Sequence, residues 1–375
     1  MPARVKDRIR LHLTRPGWVY VAVVLLLGFA AGRNGAVLMF GMFGCLIGAV
    51  AYSAISAWRM LRKVEVHREL PERDWQYRTI HVGYYLHNRG RGSVLGLEVA
   101  EIAPAGVETA AGYGVSIPAG GGFRAGGRLV ARRRGRIELP GIELRTRFPF
   151  GLVCGVRRVP AAATIVIWPA RGSLRRPLLA RGAAQTSSAA PSRASGGQDE
   201  FFGLREYRRD DNPRWIHWKR SASSGTLVVR ELARARPEVL WIVLDAHPGA
   251  PGETMLRFAA TLADHAFARG YRVGLAMAGR GGVKLLAPGP GRGRRAEVLD
   301  ALAQYEAGAG GGLGQTLELL RRRRLSEAQV VVISGEASSA RGALPRVTGL
   351  TLIDADAMGR AFQDDPAAAG EGPCP

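Results

Sequence analysis

Two uncharged apolar runs open the chain, Trp18 to Gly32 and Gly35 to Trp58, with only Arg33 and Asn34 between them. The pattern predicts a transmembrane hairpin over 17–58, with helices at 17–33 and 35–58 joined by a very short turn. The second run has the length to cross a bilayer core. The first is shorter than the ~20 residues usually needed, and Pro16 to Arg33 completes it if Arg33 snorkels to the interface. A cleaved signal peptide is the rival reading of the first run, with Ala30 and Ala31 as its small residues, and it leaves the second run as an anchor. Arg4, Lys6, Arg8, Arg10 and Arg15 precede the hairpin, and Arg59, Arg62, Lys63 and Arg68 follow it. The positive-inside bias therefore predicts a two-helix protein of the cytoplasmic membrane with residues 1–16 and the C-terminus both cytoplasmic. Small residues four apart, Gly28 with Gly32 and Gly44 with Gly48, suit close helix approach.

Beyond the hairpin the period changes. Residues 64–170 read as short strands, Thr79 to Leu86, Val94 to Ile102, Arg128 to Val130, Gly135 to Leu144 and Thr164 to Trp168, separated by turn signals such as Asn88-Arg89-Gly90 and Pro104-Ala105-Gly106. That spacing predicts a β-sandwich. Residues 171–199 read as a flexible linker, since Gly182 to Gln198 is nearly all small and polar and buries too little to offset its ordering entropy. From 237 to 356, strand and helix alternate. Val239 to Asp245 is a buried strand, Thr254 to Arg269 a helix, and Tyr271 to Met277 and Val283 to Ala287 further strands. Helices over Arg294 to Tyr305 and Leu313 to Arg324 follow, then strands Gln329 to Ser334 and Leu350 to Asp354. This predicts an open, mostly parallel sheet with helices on both faces. Residues 357–375 read as a disordered tail.

Composition adds one distinctive number. Among 375 residues, 53 Lys and Arg against 31 Asp and Glu leave a net charge of +22, carried mostly by arginine. Two causes are open: genome composition, or contact with an anionic surface, nucleic acid or lipid. Cys45, Cys154 and Cys374 show no metal-ligand spacing and imply no disulfide framework.

Residues 200–232 stand apart from this Arg/Ala/Gly background. Asp211 or Asn212 suits an N-cap and Pro213 a first helical position, predicting a helix from Pro213 to about Ser221. On such a helix Trp215 and Trp218 form an aromatic side, and Arg214 lies within reach of an indole face. Two readings stay open: the tryptophans are the buried joint between two domains, or they belong to a contact surface. The order Arg205-x-Tyr207, Asp211, Arg214-x-Ile216-x-Trp218 and Ser221-Ala222 resembles the bacterial domain of unknown function 58 family. RFPFGLV, Arg147 to Val153, is similar to that family's Pro-Phe-Gly element. The chain departs from the family at Arg209-Asp210, where Pro-Gly is typical, and at Ser223, where Arg is common. The resemblance implies that the α/β region is similar to a von Willebrand factor type A domain. It also implies company with MoxR-type AAA+ ATPases and related type A-domain proteins in assembly or maturation of complexes.

Type A domains of that kind hold Mg²⁺ through an Asp-x-Ser-x-Ser turn, a later Thr and a further Asp. Here Asp245 and Thr316 match, but both serines are missing and Gly335 follows Ser334, so the site is degenerate and no metal is expected. GGGLGQT, Gly310 to Thr316, lacks the lysine of a phosphate loop, and GRGRRA, Gly291 to Ala296, reads as a surface loop rather than a dinucleotide fingerprint. His217, Ser221 and Asp211 invite a Ser-His-Asp reading on one short segment. No cofactor and no catalytic residue is expected, and no small-molecule substrate is implied. The leading expectation is a membrane-anchored scaffold in which Arg205, Tyr207, Asp211, Arg214, Ile216, Trp218 and Ser221 bind a partner or brace the segment. A basic module for nucleic acid or membrane lipids, and a Ser/His hydrolase, are the alternatives.

Overall fold

The computed structural model describes residues 5–34, 37–175, 178–179, 200–207, 213, 216–233, 239–245, 252–279, 282–306, 313–321, 328–334 and 350–364. It begins with a strand, β1 (Arg8–Leu13), which leads directly into α1 (Arg15–Asn34) and α2 (Val37–Arg62). Both helices are long and apolar enough to cross a membrane. Residues 8–13 of the basic N-terminus form this strand. Ile9, Leu11 and Leu13 alternate with Arg8, Arg10 and His12, a period of two that the density of positive charge disguises.

Next come β2 (Val64–Glu69), β3 (Arg73–Trp75), β4 (Thr79–Asn88), β5 (Val94–Ile102), β6 (Val107–Ala110), β7 (Gly112–Ile117), β8 (Gly122–Ala131), β9 (Gly135–Thr146) and β10 (Val153–Trp168). They form two sheets. One has the order β1-β10-β9-β5-β7 with β3 added beside β10, and the other the order β2-β4-β8-β6. Every pairing is antiparallel except that of β3 with β10. Alternate side chains of both sheets meet in one core, including Ile80, Val82, Leu86, Leu97, Val99, Leu129, Leu139 and Ile165. A charged pair crosses this core: Arg68 of β2 donates to Glu101 of β5 at 2.6 Å and to Ala161 O of β10 at 2.6 Å.

The hairpin is tied to the sandwich at both feet. Thr14 caps α1, its Oγ1 accepting from Gly17 N at 3.0 Å and donating to Gly151 O at 2.6 Å. Arg157 Nη1 donates to Leu61 O and Val64 O, both at 2.8 Å, at the end of α2, while Nε and Nη2 grip the Asp7 carboxylate. That guanidinium holds the Asp7 carboxyl below its ordinary range. The second helix does not stop at Trp58. It continues to Arg62, and Ser53, Ala57 and Leu61, four residues apart, form a buried face. Gly155 of β10 makes room for it, because a methyl there would sit 2.8 Å from Leu61 Cδ1 and 3.2 Å from Ala57 Cβ. Gly155→Val is therefore expected to lift α2 from the sheet and cost about 1–3 kcal/mol. Thermal unfolding of the full chain in detergent checks this, and an unchanged midpoint would refute the seating.

The remaining elements are β11 (Ser173–Leu174), β12 (Glu200–Glu206), α3 (Trp218–Ser224), β13 (Val228–Ala233), β14 (Val239–Asp245), α4 (Gly252–Ala268), β15 (Arg272–Gly279), β16 (Gly282–Gly289), α5 (Gly291–Ala303), α6 (Leu313–Arg321), β17 (Ala328–Ser334), β18 (Leu350–Ile353), α7 (Ala355–Ala361) and β19 (Phe362–Gln363). A five-stranded sheet runs β16-β15-β14-β17-β18, parallel except at the β16 edge. The GRGRRA stretch is the start of α5, which corrects its reading as a surface loop.

Two boundary expectations change. Residues 357–364 are folded rather than part of a disordered tail: Met358 and Phe362 are buried, Phe362 packs edge-on to Phe258 at 5.5 Å, and Arg257 grips Asp364 at 2.9 Å. The expected linker begins as structure too, since β11 pairs with β19; most of it, 180–199, lies outside the described residues, as does 365–375. The sandwich and the α/β sheet meet through Trp75 and Trp168, whose rings pack edge to face at 5.1 Å. Trp168 Nε1 donates to Asp300 of α5 at 2.7 Å, Arg171 lies 4.0 Å over Trp75, and Asp264 of α4 pairs with both Arg171 and Arg295.

Candidate functional site

The segment with the unusual composition folds as a two-stranded ribbon carrying a short helix. Antiparallel β12 and β13 place Leu204 opposite Arg230 and Glu206 opposite Val228. The connection returns toward β13 before the helix starts: Ile216 bridges to Val229, and His217 N donates to Val228 O at 2.8 Å. Those contacts hold 216–217 extended, so the helix begins at Trp218 and not at Pro213. His217 is the cap, with φ −87° and ψ 81°, and its Nδ1 accepts from Arg220 N at 3.2 Å. Gly225 ends the helix at φ 70°, a conformation that glycine adopts without a Cβ penalty.

Ser221 is the brace. It is buried, its Oγ accepts from Val228 N at 2.8 Å, and it lies 3.2 Å from His217 O. Hydrogen bonds of the His217 and Ser221 side chains run to backbone atoms. The Ser221 side chain thus holds α3 against β13, and the His217 side chain caps α3. Three residues before Ser221, Trp218 is 66% exposed.

The structure separates the expected set of residues. Ile216, Trp218 and Ser221 lie together at the start of α3, and Tyr207, half-buried, closes the ribbon with its N donating to Leu227 O at 2.8 Å. Arg205 pairs through its backbone with Val229. Asp211, Arg214 and Trp215, and the proposed caps Asp211 and Asn212, lie outside the described residues. The buried-joint reading fails for Trp218. Trp75 and Trp168 make the joint between the two domains, and the sequence signal for them was an indole at the end of each of two strands that pair in register, Trp168 opposite Trp75.

At the C-terminal ends of β14 and β17, where strand order reverses, open α/β sheets form their ligand crevice. Here Ser334 Oγ donates to Asp245 Oδ2 at 2.9 Å, both residues buried, and Thr316 of α6 is fully buried with no partner for Oγ1 among the described residues. A hard octahedral cation needs several oxygen ligands. The described donors amount to one carboxylate already engaged by a hydroxyl, plus two hydroxyls, which is a poor fit for Mg²⁺. Residues 246–250, 307–312 and 335–349 lie outside the described residues, and with them the positions after Asp245, the glycine run and Gly335. Among the described residues, no group of three or more His, Cys, Asp or Glu side chains is gathered as a metal site.

Among solved structures, the CARDB domain of PF1109 from Pyrococcus furiosus is similar at 11% identity, over 28% of this chain and 94% of its own, with a TM-score of 0.19. The Pseudomonas fluorescens alkylpurine DNA glycosylase AlkC bound to DNA is similar at 15% identity over 41% of this chain and 43% of its own, with a TM-score of 0.18. A GH20 exo-β-N-acetylglucosaminidase from Vibrio harveyi is similar at 11% identity over 54% and 45%, with a TM-score of 0.16. Likenesses this slight bear on neither fold nor function. Among curated proteins none matches the chain. The α3 ribbon and the larger part of the α/β sheet, residues 203–344, match the family model described as Protein of unknown function DUF58.

Proposed function

We propose that this protein is a membrane-anchored scaffold whose soluble domains stand on the two-helix hairpin and whose α3 ribbon docks a protein partner. The observation that carries the reading is Trp218: a large apolar side chain held 66% exposed by a helix whose cap, brace and terminating glycine are all engaged. A rigid, exposed indole is the type of anchor that dominates protein interfaces. Both feet of the hairpin are held by the sandwich, which supports two crossings with the N-terminal strand and all later domains on one side. The basic residues on that side favour the cytoplasm. The sheet order, with an antiparallel edge strand and a reversal beside Asp245, supports a type A-like α/β unit.

Resemblance to the family matched over residues 203–344 suggests a MoxR-type AAA+ ATPase as the partner, acting with related type A-domain proteins on assembly or maturation of complexes. Trp218→Ala is expected to reduce capture of that partner from native membranes about 30-fold or more, the loss that corresponds to a hot-spot residue worth ~2 kcal/mol. Folding should be unaffected, because the indole is mostly in solvent. Mass spectrometry of the captured proteins decides. An unchanged partner list would return α3 to a bracing role, and nucleic acid in place of protein would favour the basic-module alternative.

A further inference from the structure

We infer that the outer face of β1 and β10, at the foot of α1, is a binding site for the phosphate headgroups of anionic phospholipids. This rests on the anchoring reading above. A depression of about 1140 Å³ opens there, lined by β1, by the β9–β10 region and by Leu13 to Pro16, the residues that lead into the apolar helix. It exceeds the ~300–1,000 Å³ of small-ligand pockets, so a lipid headgroup fits with room to spare.

Charge is concentrated at this place and compensated only in part. The pleat of β1 turns Arg8, Arg10 and His12 to the same exposed face. Register sets Arg8 directly opposite Arg158, whose guanidinium Glu143 already engages, so Arg8 faces a partner that has no carboxylate to spare for it. Glu143 is the acidic residue of the lining, and its two oxygens are already taken by Arg145 and Arg158. Burial alone would push the Glu143 carboxyl up; the two arginines outweigh it and hold the group below its ordinary range. That leaves Lys6, Arg8, Arg10, Arg15 and Arg147, all exposed and, among the described residues, without a carboxylate partner. Guanidinium forks suit phosphate oxygens better than any neutral headgroup.

Lipid is the source favoured over free phosphate because of what adjoins the charges. Trp18, on the first turn of α1, is 65% exposed, and Phe150, 57% exposed, leans on Tyr52 of α2 with ring centroids 6.4 Å apart. Exposed aromatic rings beside basic residues at the end of an apolar helix are the marks of a headgroup layer.

The test uses the full chain inserted into nanodiscs of phosphatidylcholine with an equal share of phosphatidylglycerol, followed by release into neutral detergent and native mass spectrometry of retained lipid. The wild type is expected to keep phosphatidylglycerol in preference to phosphatidylcholine. Each basic residue near a membrane surface contributes about a fivefold preference, so Arg8→Gln with Arg10→Gln is expected to cut the preference roughly 25-fold. Arg124→Gln with Arg128→Gln, the same charge change on the outer face of β8 in the other sheet, should leave it unchanged. Equal retention by wild type and the first variant would overturn the site, as would an equal fall in the control variant. Displacement of the lipid by millimolar inorganic phosphate would overturn the lipid assignment in favour of a free anion. Failure of the wild-type chain to enter the discs would overturn the anchoring reading and this inference with it, whereas insertion without lipid preference would overturn the inference alone.

Discussion

Glu101→Ala is expected to destabilise the sandwich by about 3–5 kcal/mol, because it leaves the Arg68 guanidinium buried without its counter-charge. The side chains of Arg68 and Glu101 are 6% and 1% exposed and meet at 2.6 Å, so solvent offers little screening. Arg68 belongs to one sheet and Glu101 to the other, which makes the pair a link across the core rather than a surface ornament. The corollary is just as strong. Arg68→Met combined with Glu101→Leu removes both charges and is expected to return stability to within about 1 kcal/mol of the wild type or above it, since a packed apolar pair carries no desolvation cost. Denaturant unfolding of the three proteins measures both effects, and a shift below about 1 kcal/mol for Glu101→Ala would show that water reaches Arg68. The pH dependence has a definite sign. Burial raises the Glu101 carboxyl against the opposing pull of Arg68. A carboxyl raised on folding contributes stability that is present below its unfolded value and lost as pH rises through its folded value. Mild acid should therefore not unfold the sandwich through this residue, in contrast to Asp7, whose lowered carboxyl contributes stability above the unfolded value that is lost as pH falls through its folded value.

Trp168→Ala is expected to cost about 3–5 kcal/mol and to uncouple the two soluble domains. The indole lies at the end of a sandwich strand yet is part of the core of the α/β sheet, together with Trp75. Its removal takes away the edge-to-face partner of Trp75, the ring beneath Arg295 and the donor to Asp300 in one step. Trp168→Phe keeps a ring but not the donor, and should lose about 1.5–3 kcal/mol, the range for a hydrogen bond to a charged group. Limited proteolysis with hydrogen exchange distinguishes uncoupling from general loosening. Faster exchange confined to α4, α5 and the ends of β3 and β10 is the expected result, and a single unfolding transition with an unchanged midpoint would contradict the joint.

The elements that were legible in the sequence are those in which a residue's neighbours along the chain carry the information. Val239 to Asp245 is a continuous apolar run, and the structure puts it at the centre of the parallel sheet with identical bounds. Val94 to Ile102 likewise emerges as one strand. The two uncharged runs at the N-terminus became helices because nothing in them requires water, although α2 ran one turn past Trp58 where its apolar face found Gly155. In the α3 segment the helical residues were partly foreseen, while its start was misplaced by five residues. Pro213 and the Asx residues before it are good helix openers in isolation, but the pairing of 216–217 with β13 claims the backbone first.

What the sequence by itself determined is therefore the period and polarity of each element: apolar helices, alternating strands, a parallel α/β series and an arginine excess. Only the tertiary structure decided which charges stay unpaired and which indoles are covered. Arg68, Arg157 and Arg8 are alike in one dimension; one is buried opposite Glu101, one clamps the foot of α2, and one faces another arginine at the foot of α1. Trp168 and Trp218 are likewise both tryptophans, and one is shared between two domains while the other stands in solvent. The physical reason is that burial and charge compensation are set by strands and helices brought together from distant parts of the chain, and hydrophobic periodicity within a segment says which face is apolar without saying what will cover it.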